Sequence, residues 1–184
     1  MEIFDIVDEM GNPTGETVER TYAHTMGIRH RTSHIWVIRK SGGKVQALLQ
    51  KRSDEKDSFP GCYDTSSSGH IHAGDEPLYS ATRELFEELG IKAEPEDLIP
   101  AGMFPVDYIL TFHGEPFYDV ETAFVFIYLK DVDEKELKFS DGEVTGVRWF
   151  DMDYIEKTIK ERTEGFCVPP GGFQVAKKWC DENM

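Results

Sequence analysis

The amino-acid sequence predicts an α/β/α sandwich with a mixed central sheet, preceded by an N-terminal β-hairpin. Strand-like segments recur along the whole chain, and two or three segments with apolar residues at helical spacing stand among them, a mixture typical of a layered α/β domain. The chain has 184 residues, which suits one domain with a substantial core. Because no linker, repeat or low-complexity tract divides it, we expect a single domain over residues 1–184.

The first 22 residues predict the hairpin. EIFDIVDE alternates apolar and polar residues, as a half-buried strand does, and MGNPTG has the composition of a turn. ETVER then returns as the second strand. We therefore assign residues 1–22 to an N-terminal hairpin, which is also a candidate interface for a homodimer.

A strand–turn–strand unit follows the hairpin. SHIWVIRK and VQALLQKR have the composition of two strands, and SGGK supplies the turn between them. Before this unit, YAHTMGI is long enough for one helical turn. After it and a polar loop, YDTSSSGHI is predicted to be extended.

The hydrophobic period then changes from that of a strand to that of a helix. Apolar residues at helical spacing are Leu78, Ala81, Leu85 and Leu89. Two acidic residues followed by Pro77 form a helix start, since proline is tolerated in the first turn. Gly90 is a suitable end, because glycine adopts the left-handed conformation at low cost.

The second half of the chain predicts more strands and two C-terminal helices. The strand candidates are LIPAGMF, VDYILTF, ETAFVFIYLK and VTGVRWF. ETAFVFIYLK is almost continuously apolar, as a central strand covered on both faces would be. DMDYIEKTIKER reads as a helix capped by Asp151, PPGG as a break and FQVAKKWCDE as a final short helix. Residues 151–184 are thus assigned to C-terminal helices.

The net charge limits the partners of this protein. At −15, the surface repels nucleic acid phosphates and anionic lipid, so we expect neither a nucleic acid polymer nor a membrane as partner. No apolar run approaches the roughly 20 residues that a membrane span needs. If the substrate is itself an anion, a bound divalent cation would be needed to invert the local field.

The cysteines and the N-terminus predict a cytoplasmic protein. Cys62, Cys167 and Cys180 are odd in number, and none lies in a CxxC motif, which favours reduced thiols over a disulfide framework or a zinc site. The acidic N-terminal segment lacks the layout of a signal peptide.

Three glutamates of the predicted central helix form a candidate metal site. Glu84, Glu87 and Glu88 stand at i, i+3 and i+4, so their side chains share one helix face, away from the apolar stripe. Converging carboxylates are the ligands that Mg²⁺ and Mn²⁺ prefer. A solvated acidic face is the other interpretation. The preceding loop, GHIHAGDEP, favours the metal, because a glycine lets backbone carbonyls approach an ion beside carboxylates.

Residues 69–91, GHIHAGDEPLYSATRELFEELGI, resemble the Nudix box. The residues that match the family pattern in register are Gly69, Arg83, Glu84, Leu85, Glu87, Glu88, Gly90 and Ile91. Asp75 departs from it, since the family has glutamate there, a residue that helps to fix the loop against the helix. Asp75 can still cap the helix N-terminus. The order of the flanking strands is also similar to that of the family.

The resemblance implies a hydrolase of diphosphates linked to another group, of nucleotide or isoprenoid type. Glu84, Glu87 and Glu88 would bind Mg²⁺ or Mn²⁺, helped by the Gly69 carbonyl, and Arg83 would orient the glutamates. Bound cations would lower the pKa of the attacking water and neutralise charge on the phosphoryl oxygens. The partner is then a small-molecule diphosphate.

The sequence that leads into the box contains FDIVDEMGNPTGETVERTYAHTMGIRHRTSHIWVIR, LLQKRS and FPGCYDTSSSGH. These segments are similar to a particular branch of the family, that of isopentenyl-diphosphate isomerase. This resemblance implies a second metal site. His70 matches a metal-binding histidine of the isomerases, Glu121 their catalytic glutamate and Asp119 a neighbouring acid. His24 and His30 fall near the two upstream histidines, with a spacing one residue shorter than the isomerase pattern. The isomerases have a catalytic cysteine where this chain has Ser68, and a hydroxyl is a far weaker acid than a thiol. We therefore favour hydrolysis over isomerisation. Structural roles for His24 and His30 stay open.

Other polar residues have two interpretations each. Glu143 resembles the loop acid that many Nudix enzymes place near the metals, or it is a solvated turn residue. Arg31, Lys51 and Arg52 either hold a phosphate or carboxylate of the substrate or are surface charges. His72 and His113 are predicted to be surface residues.

The general base and the catalytic status of the chain are left open by the sequence. The candidate bases are Glu84, Glu87, Glu121 and Glu143. Because Asp75 and Ser68 depart from the family patterns, a non-catalytic ligand-binding module is a third hypothesis beside hydrolase and isomerase. The identity of the substrate is not predicted, since substrate-recognising residues of the family lie outside the box.

Overall fold

The structure is a computed structural model that describes residues 1–56, 58–112, 114–139 and 142–184, with the side chain of Phe112 left out. His113 therefore lies outside the described residues. The elements in chain order are β1 (Ile3–Val7), β2 (Pro13–Glu19), α1 (Arg20–Met26), β3 (His30–Ser41), β4 (Lys44–Arg52), β5 (Tyr63–Asp64), β6 (Ser67–His70), α2 (Pro77–Leu89), a short 3₁₀ helix (Pro95–Asp97), β7 (Leu98–Phe112), β8 (Glu115–Tyr128), β9 (Val144–Asp151), α3 (Met152–Glu161) and α4 (Pro170–Asn183).

A mixed sheet forms the middle layer, as the sequence predicts. Its strands run in the order β5-β4-β3-β8-β7, with β6 paired to β3 and β9 to β4. β3 and β8 are parallel, and the other pairs in the sheet are antiparallel. β3 pairs with β4, β6 and β8 and is the middle strand of the order β5-β4-β3-β8-β7, so residues on it lie at the centre of the sheet.

Two hydrophobic cores cover the two faces of this sheet. On one face Leu85 and Leu89 of α2 pack with Val37 of β3. On the other face Trp36 packs with Phe173 of α4 and with residues of α3. Alternation along β3 sends Trp36 and Val37 to opposite faces, and the α/β/α sandwich is confirmed.

Helix α2 begins and ends where the sequence predicts. Pro77 occupies its first turn, and Gly90 ends it in the left-handed conformation with φ 72°. The expected cap by Asp75 is wrong, however, because Glu76 occupies the N-cap position and makes no side-chain cap bond. Asp151 likewise gives α3 no side-chain cap bond, since its carboxylate accepts a hydrogen bond from Gln46 at 2.8 Å.

Two segments are more continuous than predicted. LIPAGMF and VDYILTF are parts of one strand, β7, with an irregularity between Pro100 and Gly102. The PPGG segment does not break the chain before the last helix, because α4 starts at Pro170. A Cβ atom on Gly171 would lie 2.6 Å from a ring carbon of Phe104, so glycine allows α4 to start close against β7.

The N-terminal hairpin is confirmed as a separate antiparallel pair, β1 with β2. The last three of its predicted 22 residues belong to α1, which is capped by Glu19 through a hydrogen bond from the Tyr22 backbone N–H at 3.1 Å. Phe4 of the hairpin is fully buried and stacks on the rings of His30 and His70 at 4.8 and 4.7 Å. The hairpin therefore covers residues of the candidate site, and its use as a dimer interface stays a prediction.

The helices of the described part of the chain are all too short or too polar to cross a bilayer.

Candidate active site

Gly69 lies against the first glutamate of the acidic helix. A Cβ atom built on Gly69 would be 2.1 Å from the carboxyl carbon of Glu84, a distance that no side chain permits. Only glycine therefore lets the Glu84 carboxylate approach the backbone of β6. This contact joins the two ends of the predicted box, which is the arrangement expected if backbone and carboxylate oxygens serve one cation.

Arg83 orients the Glu84 carboxylate. Its guanidinium donates hydrogen bonds to Glu84 Oε1 at 2.9 Å and to the backbone oxygen of His70 at 3.0 Å. Burial raises the pKa of Glu84 to about 7; Arg83 opposes this rise, and the charges of Glu87 and Glu143 add to it. The site thus has an excess of negative charge that a bound cation would relieve.

Glu88 is placed differently from the expectation of three acids on one exposed face. It is buried, at 5% exposure, and its Oε2 accepts hydrogen bonds from the Ser68 backbone N–H at 3.0 Å and the Gln50 side-chain amide at 3.2 Å. The reason is that the i+4 position turns this side chain towards β4 and β6, whereas Glu87 is exposed. Burial raises the pKa of the Glu88 carboxyl to about 8.

The raised pKa of Glu88 predicts a pH-dependent stability. Without a cation, the wild-type protein loses stability as pH rises from the ordinary carboxyl value of 4.5 to about 8, since the folded state resists ionisation of this group. Glu88→Gln removes the charge, so we expect the metal-free variant to melt several degrees above wild type at pH 9 and close to it at pH 4. Each kcal/mol shifts the melting temperature by roughly 2–4 °C in a domain of this size.

Thermal melts in a chelator at both pH values measure this effect. Glu76→Gln, on the exposed N-cap of the same helix, is the matched control and should change little. Parallel pH curves for wild type and Glu88→Gln would contradict the assigned pKa. Addition of Mg²⁺ should stabilise wild type more than the Glu88→Gln protein.

A cluster of histidines and carboxylates lies on the opposite face of the sheet. The residues that contribute to it are His24 of α1, His30 of β3, His70 of β6, and Asp119 and Glu121 of β8. Among the described residues, two triplets have ligand atoms that lie within 4.8 Å of one another. They are His24, His30 and His70, and His30, Asp119 and Glu121.

The distances within the cluster are those of groups that converge on a small volume. His24 Nε2 is 3.3 Å from His70 Nε2. Glu121 Oε1 is 3.6 Å from Nε2 of both His30 and His70. Asp119 Oδ1 is 3.8 Å from His24 Nδ1. His24, His30 and Glu121 are each at most 6% exposed, so this polar cluster needs charge or hydrogen-bond compensation.

The backbone fixes the tautomers of two of these histidines. His24 Nδ1 lies 3.2 Å from the Tyr118 carbonyl and His30 Nδ1 lies 2.9 Å from the Ile28 carbonyl. A carbonyl oxygen can only accept, so each Nδ1 carries a proton, and Nε2 is the ring nitrogen that is left to face the cluster. His30 Nε2 is buried without a hydrogen-bond partner within the described part of the chain. Histidines that bind metals are commonly oriented in this way.

The charges in the cluster also suit a cation. Burial lowers the pKa of His24 to about 4 and that of His70 well below its ordinary value, which keeps both rings neutral at pH 7. Burial alone would raise the pKa of Glu121, but a polar interaction with the adjacent His30 side chain holds it below its usual range. Burial and the neighbouring Glu121 raise the pKa of Asp119 to about 8. The donor set therefore fits a divalent transition metal, which imidazole and carboxylate ligands suit.

Tyr108 and Thr32 were missed as members of this cluster. The Tyr108 hydroxyl hydrogen-bonds to the Asp119 carboxyl, and Thr32 Oγ1 donates to Glu121 Oε2 at 2.9 Å. In the sequence, Tyr108 lies within the strand candidate VDYILTF, where an aromatic residue is typical of core packing. The pairing of β7 with β8, which sets Tyr108 opposite Asp119, is the signal that would have identified it.

Comparison with known proteins decides the family. The model described as the NUDIX domain matches residues 28–166. The chain belongs to the NUDIX family. An uncharacterized Nudix hydrolase of Clostridium acetobutylicum is 33% identical over 89% of this chain and 77% of its own length. These matches support the predicted hydrolase class.

Other relatives are matched over a smaller part of their length. The chain is 34% identical to an isopentenyl-diphosphate Delta-isomerase of Pectobacterium atrosepticum, over 47% of this chain and 46% of that protein. It spans only 12% of a Nudix hydrolase of Arabidopsis thaliana and half of an uncharacterized one of Yersinia pestis. The predicted similarity to the isomerase branch is thus present at modest identity.

The Nudix fold is also found among solved structures. The crystal structure of DR0079 from Deinococcus radiodurans matches with a TM-score of 0.69, covering 96% of this chain and 98% of that one. Its sequence identity is 18%, so this likeness concerns the fold alone.

In this Nudix domain, two of the three predicted substrate-binding cations are engaged by other groups. Arg31 is buried and pairs with Asp5 at 2.7 Å. Arg52 donates hydrogen bonds to Ser58 and contacts Asp64 at 3.3 Å. Their surroundings favour structural roles. Lys51 is exposed at the end of β4, and its contact with substrate stays a prediction.

Glu143 and His72 lie close to the acidic helix of the Nudix box. Glu143 precedes β9 and forms an ion pair with Lys56, and its charge adds to the raised pKa of Glu84. His72 is half-buried, not a free surface residue as expected, and its ring lies 3.2 Å from an Arg83 nitrogen. Both residues are thus near the groups that the resemblance assigns to catalysis.

Proposed function

We propose that this Nudix protein hydrolyses a small-molecule diphosphate linked to another group, with Mg²⁺ or Mn²⁺ held at the box. The observation that supports this most strongly is the approach of Glu84 to Gly69, with Arg83 bonded to the same carboxylate. Nudix hydrolases generally use divalent metal ions, and hard cations prefer the oxygen ligands present here. Nucleotide and isoprenoid diphosphates are the two substrate types proposed, and the cytoplasmic location stays a prediction.

The residues of the box have two proposed roles, which are to hold the cation and to orient a carboxylate that binds it. Glu84, Glu87, Glu88 and the Gly69 carbonyl would hold the cation, and Arg83 keeps the Glu84 carboxylate turned towards Gly69. When bound, a divalent cation supplies positive charge that stabilises the phosphoryl oxygens and lowers the pKa of water. Lys51, which is exposed at the end of β4, would contact a distal phosphate of the substrate. Hydrolysis then adds water across one P–O–P link and yields two phosphate products.

We place the general base at Glu87 or Glu143. Of the four candidates, these two are exposed to solvent, although Glu143 also pairs with Lys56. Glu84 is half-buried and Glu121 is buried in the histidine cluster. The general base must lie within hydrogen-bond reach of the attacking water molecule, because it accepts a proton from that water. A pH–rate profile separates them, since Glu→Gln at the base removes the acidic limb of the profile and leaves only a lower rate.

A second candidate function, isomerisation of isopentenyl diphosphate, is favoured by the histidine–carboxylate cluster. Ser68 is paired with His34 and, by alternation along β6, lies on the face of His70, which is where the isomerases would need their thiol. A serine hydroxyl is a far weaker acid than a cysteine thiol, so it transfers a proton to or from a carbon atom of the substrate far less readily. We therefore expect no deuterium exchange from solvent into isopentenyl diphosphate by the wild-type protein.

Proton NMR in deuterated buffer with Mg²⁺ measures this exchange. If the wild-type protein incorporates deuterium into isopentenyl diphosphate without releasing phosphate, the isomerase is favoured over the hydrolase. Ser68→Cys is the informative variant: if it gains exchange while wild type has none, the cluster is competent for isomerisation and the residue at position 68 decides the reaction. A protein that binds Mg²⁺ but shows neither activity on a broad substrate panel would support the ligand-binding module.

A further inference from the structure

The N-terminal hairpin is bonded to the loop that connects Gly69 to the acidic helix. The backbone N–H of Ala73 donates to the Ile3 carbonyl at 2.8 Å. The next backbone N–H, that of Gly74, donates to Oδ2 of Asp5 at 2.9 Å. Both bonds come from β1, so this strand sets the position of residues 73 and 74.

Arg31 of β3 completes the same contact from the other side. Its Nη2 donates to Asp5 Oδ2 at 2.7 Å and to the Asp75 carbonyl at 3.1 Å, and its own carbonyl accepts from the Ile71 N–H at 3.0 Å. The side chains of Arg31 and Asp5 are 7% and 13% exposed. A buried ion pair of this kind is strongly coupled, since removing one partner leaves an uncompensated charge.

The loop needs such external contacts because its own side chains provide none at the helix start. Asp75 and Glu76 are exposed, and the N-cap of α2 makes no side-chain cap bond. In the family pattern, a glutamate at the position of Asp75 helps to fix the loop against the helix. Here Asp75 contributes its backbone carbonyl to Arg31, a contact that does not depend on its side chain.

We propose that Asp5, with Arg31, is a positioning residue for the cation site of the box and takes over the role of the family glutamate that Asp75 replaces. The inference rests on the proposed function in one respect, that Glu84 and Gly69 hold a cation. Gly69 lies on β6, which pairs with β3, and the Asp5–Arg31 pair holds the loop that joins this strand to α2. The pair thereby positions the start of α2, and with it Glu84, relative to Gly69. The hairpin is then part of the active-site architecture.

Binding of Mn²⁺ alone, followed by electron paramagnetic resonance of the free ion, tests this role without substrate. The signal assigned to the box is the binding that Glu84→Gln removes. A partner bonded directly to a metal ligand contributes about 10–100-fold in affinity. Asp5 acts one step further away, through Gly74 and Arg31, so we expect Asp5→Asn to weaken the binding by about 3–10-fold while the circular dichroism spectrum is unchanged. Adding Asp75→Glu to Asp5→Asn should restore part of the affinity, because it returns the family's own fixing residue.

Asp8→Asn is the matched control in the same hairpin. The Asp8 carboxylate accepts hydrogen bonds from the Met10 and Asn12 backbone N–H groups, both at 2.9 Å. These bonds lie within the turn of the hairpin and not at the loop that follows Gly69. We expect unchanged Mn²⁺ affinity. Equal weakening by Asp5→Asn and Asp8→Asn would overturn the proposal, and so would wild-type affinity in Asp5→Asn.

If Asp5→Asn does not fold, Arg31→Lys keeps the buried charge and loses the geometry that bridges Asp5 to the Asp75 carbonyl. Weakened Mn²⁺ binding in a folded Arg31→Lys protein supports the proposal, and unchanged binding overturns it. The proposed function fails separately, when wild type binds Mn²⁺ at the box yet hydrolyses no diphosphate.

Discussion

Glu84→Gln lowers kcat for diphosphate hydrolysis by about 10³-fold, because a cation at the box contributes several kcal/mol of charge stabilisation and each 1.4 kcal/mol is about tenfold in rate. Glutamine keeps the shape of the side chain and its hydrogen bond from Arg83 but loses the negative charge. Burial already raises the pKa of Glu84 to about 7, so the variant should fold at least as well as wild type. The variant should also need higher Mg²⁺ for its residual activity.

Steady-state kinetics over a Mg²⁺ titration measure both effects. Glu76→Gln is the matched control, since it removes one exposed carboxylate from the start of the same helix. We expect the control to retain wild-type kcat. Activity of Glu84→Gln within a few-fold of wild type would remove the box from the mechanism.

His30→Gln should abolish tight binding of a transition metal at the histidine–carboxylate cluster. His30 belongs to both triplets that converge within 4.8 Å, and its Nε2 atom is buried and directed into the cluster. Losing an outer partner of a metal site typically costs about 10–100-fold in affinity. Losing this ligand should therefore cost at least about 100-fold for Zn²⁺ or Mn²⁺.

Metal content after dialysis, measured by inductively coupled plasma mass spectrometry, gives the result directly. His34→Gln is the matched control, because His34 lies on the same strand and face, is also buried, and contacts the Phe104 ring without belonging to either triplet. We expect wild-type metal content in that control. Equal metal content in wild type and His30→Gln would show that the cluster is a structural one.

The fold was predictable because most of its helices and strands are specified by residues that lie close together in the sequence. Helix α2 has an apolar stripe, a proline at its start and a glycine at its end, and each of these signals acts within a few residues. The hairpin and the β3–β4 unit likewise depend on alternation and on turn residues. The joining of LIPAGMF and VDYILTF into one strand was not predictable in this way, because it depends on continuous pairing with β8.

The site was predictable where a motif fixes it and not where tertiary contacts do. The box placed Gly69 against Glu84 correctly. It did not show that Glu88 is buried beneath β6, since helical spacing gives a face but not what covers it. Arg31 looked like a free cation in sequence, because its partner Asp5 lies 26 residues away in another strand.

The most direct test of the central claim is hydrolysis in ¹⁸O-labelled water, with Mg²⁺, over a panel of nucleotide, nucleotide-sugar and isoprenoid diphosphates. Mass spectrometry of the products should show one ¹⁸O atom in one phosphate product per turnover, and Glu84→Gln should lose it. The account predicts this label for at least one substrate. It is contradicted if wild type binds the divalent cation yet releases no labelled phosphate from any member of the panel.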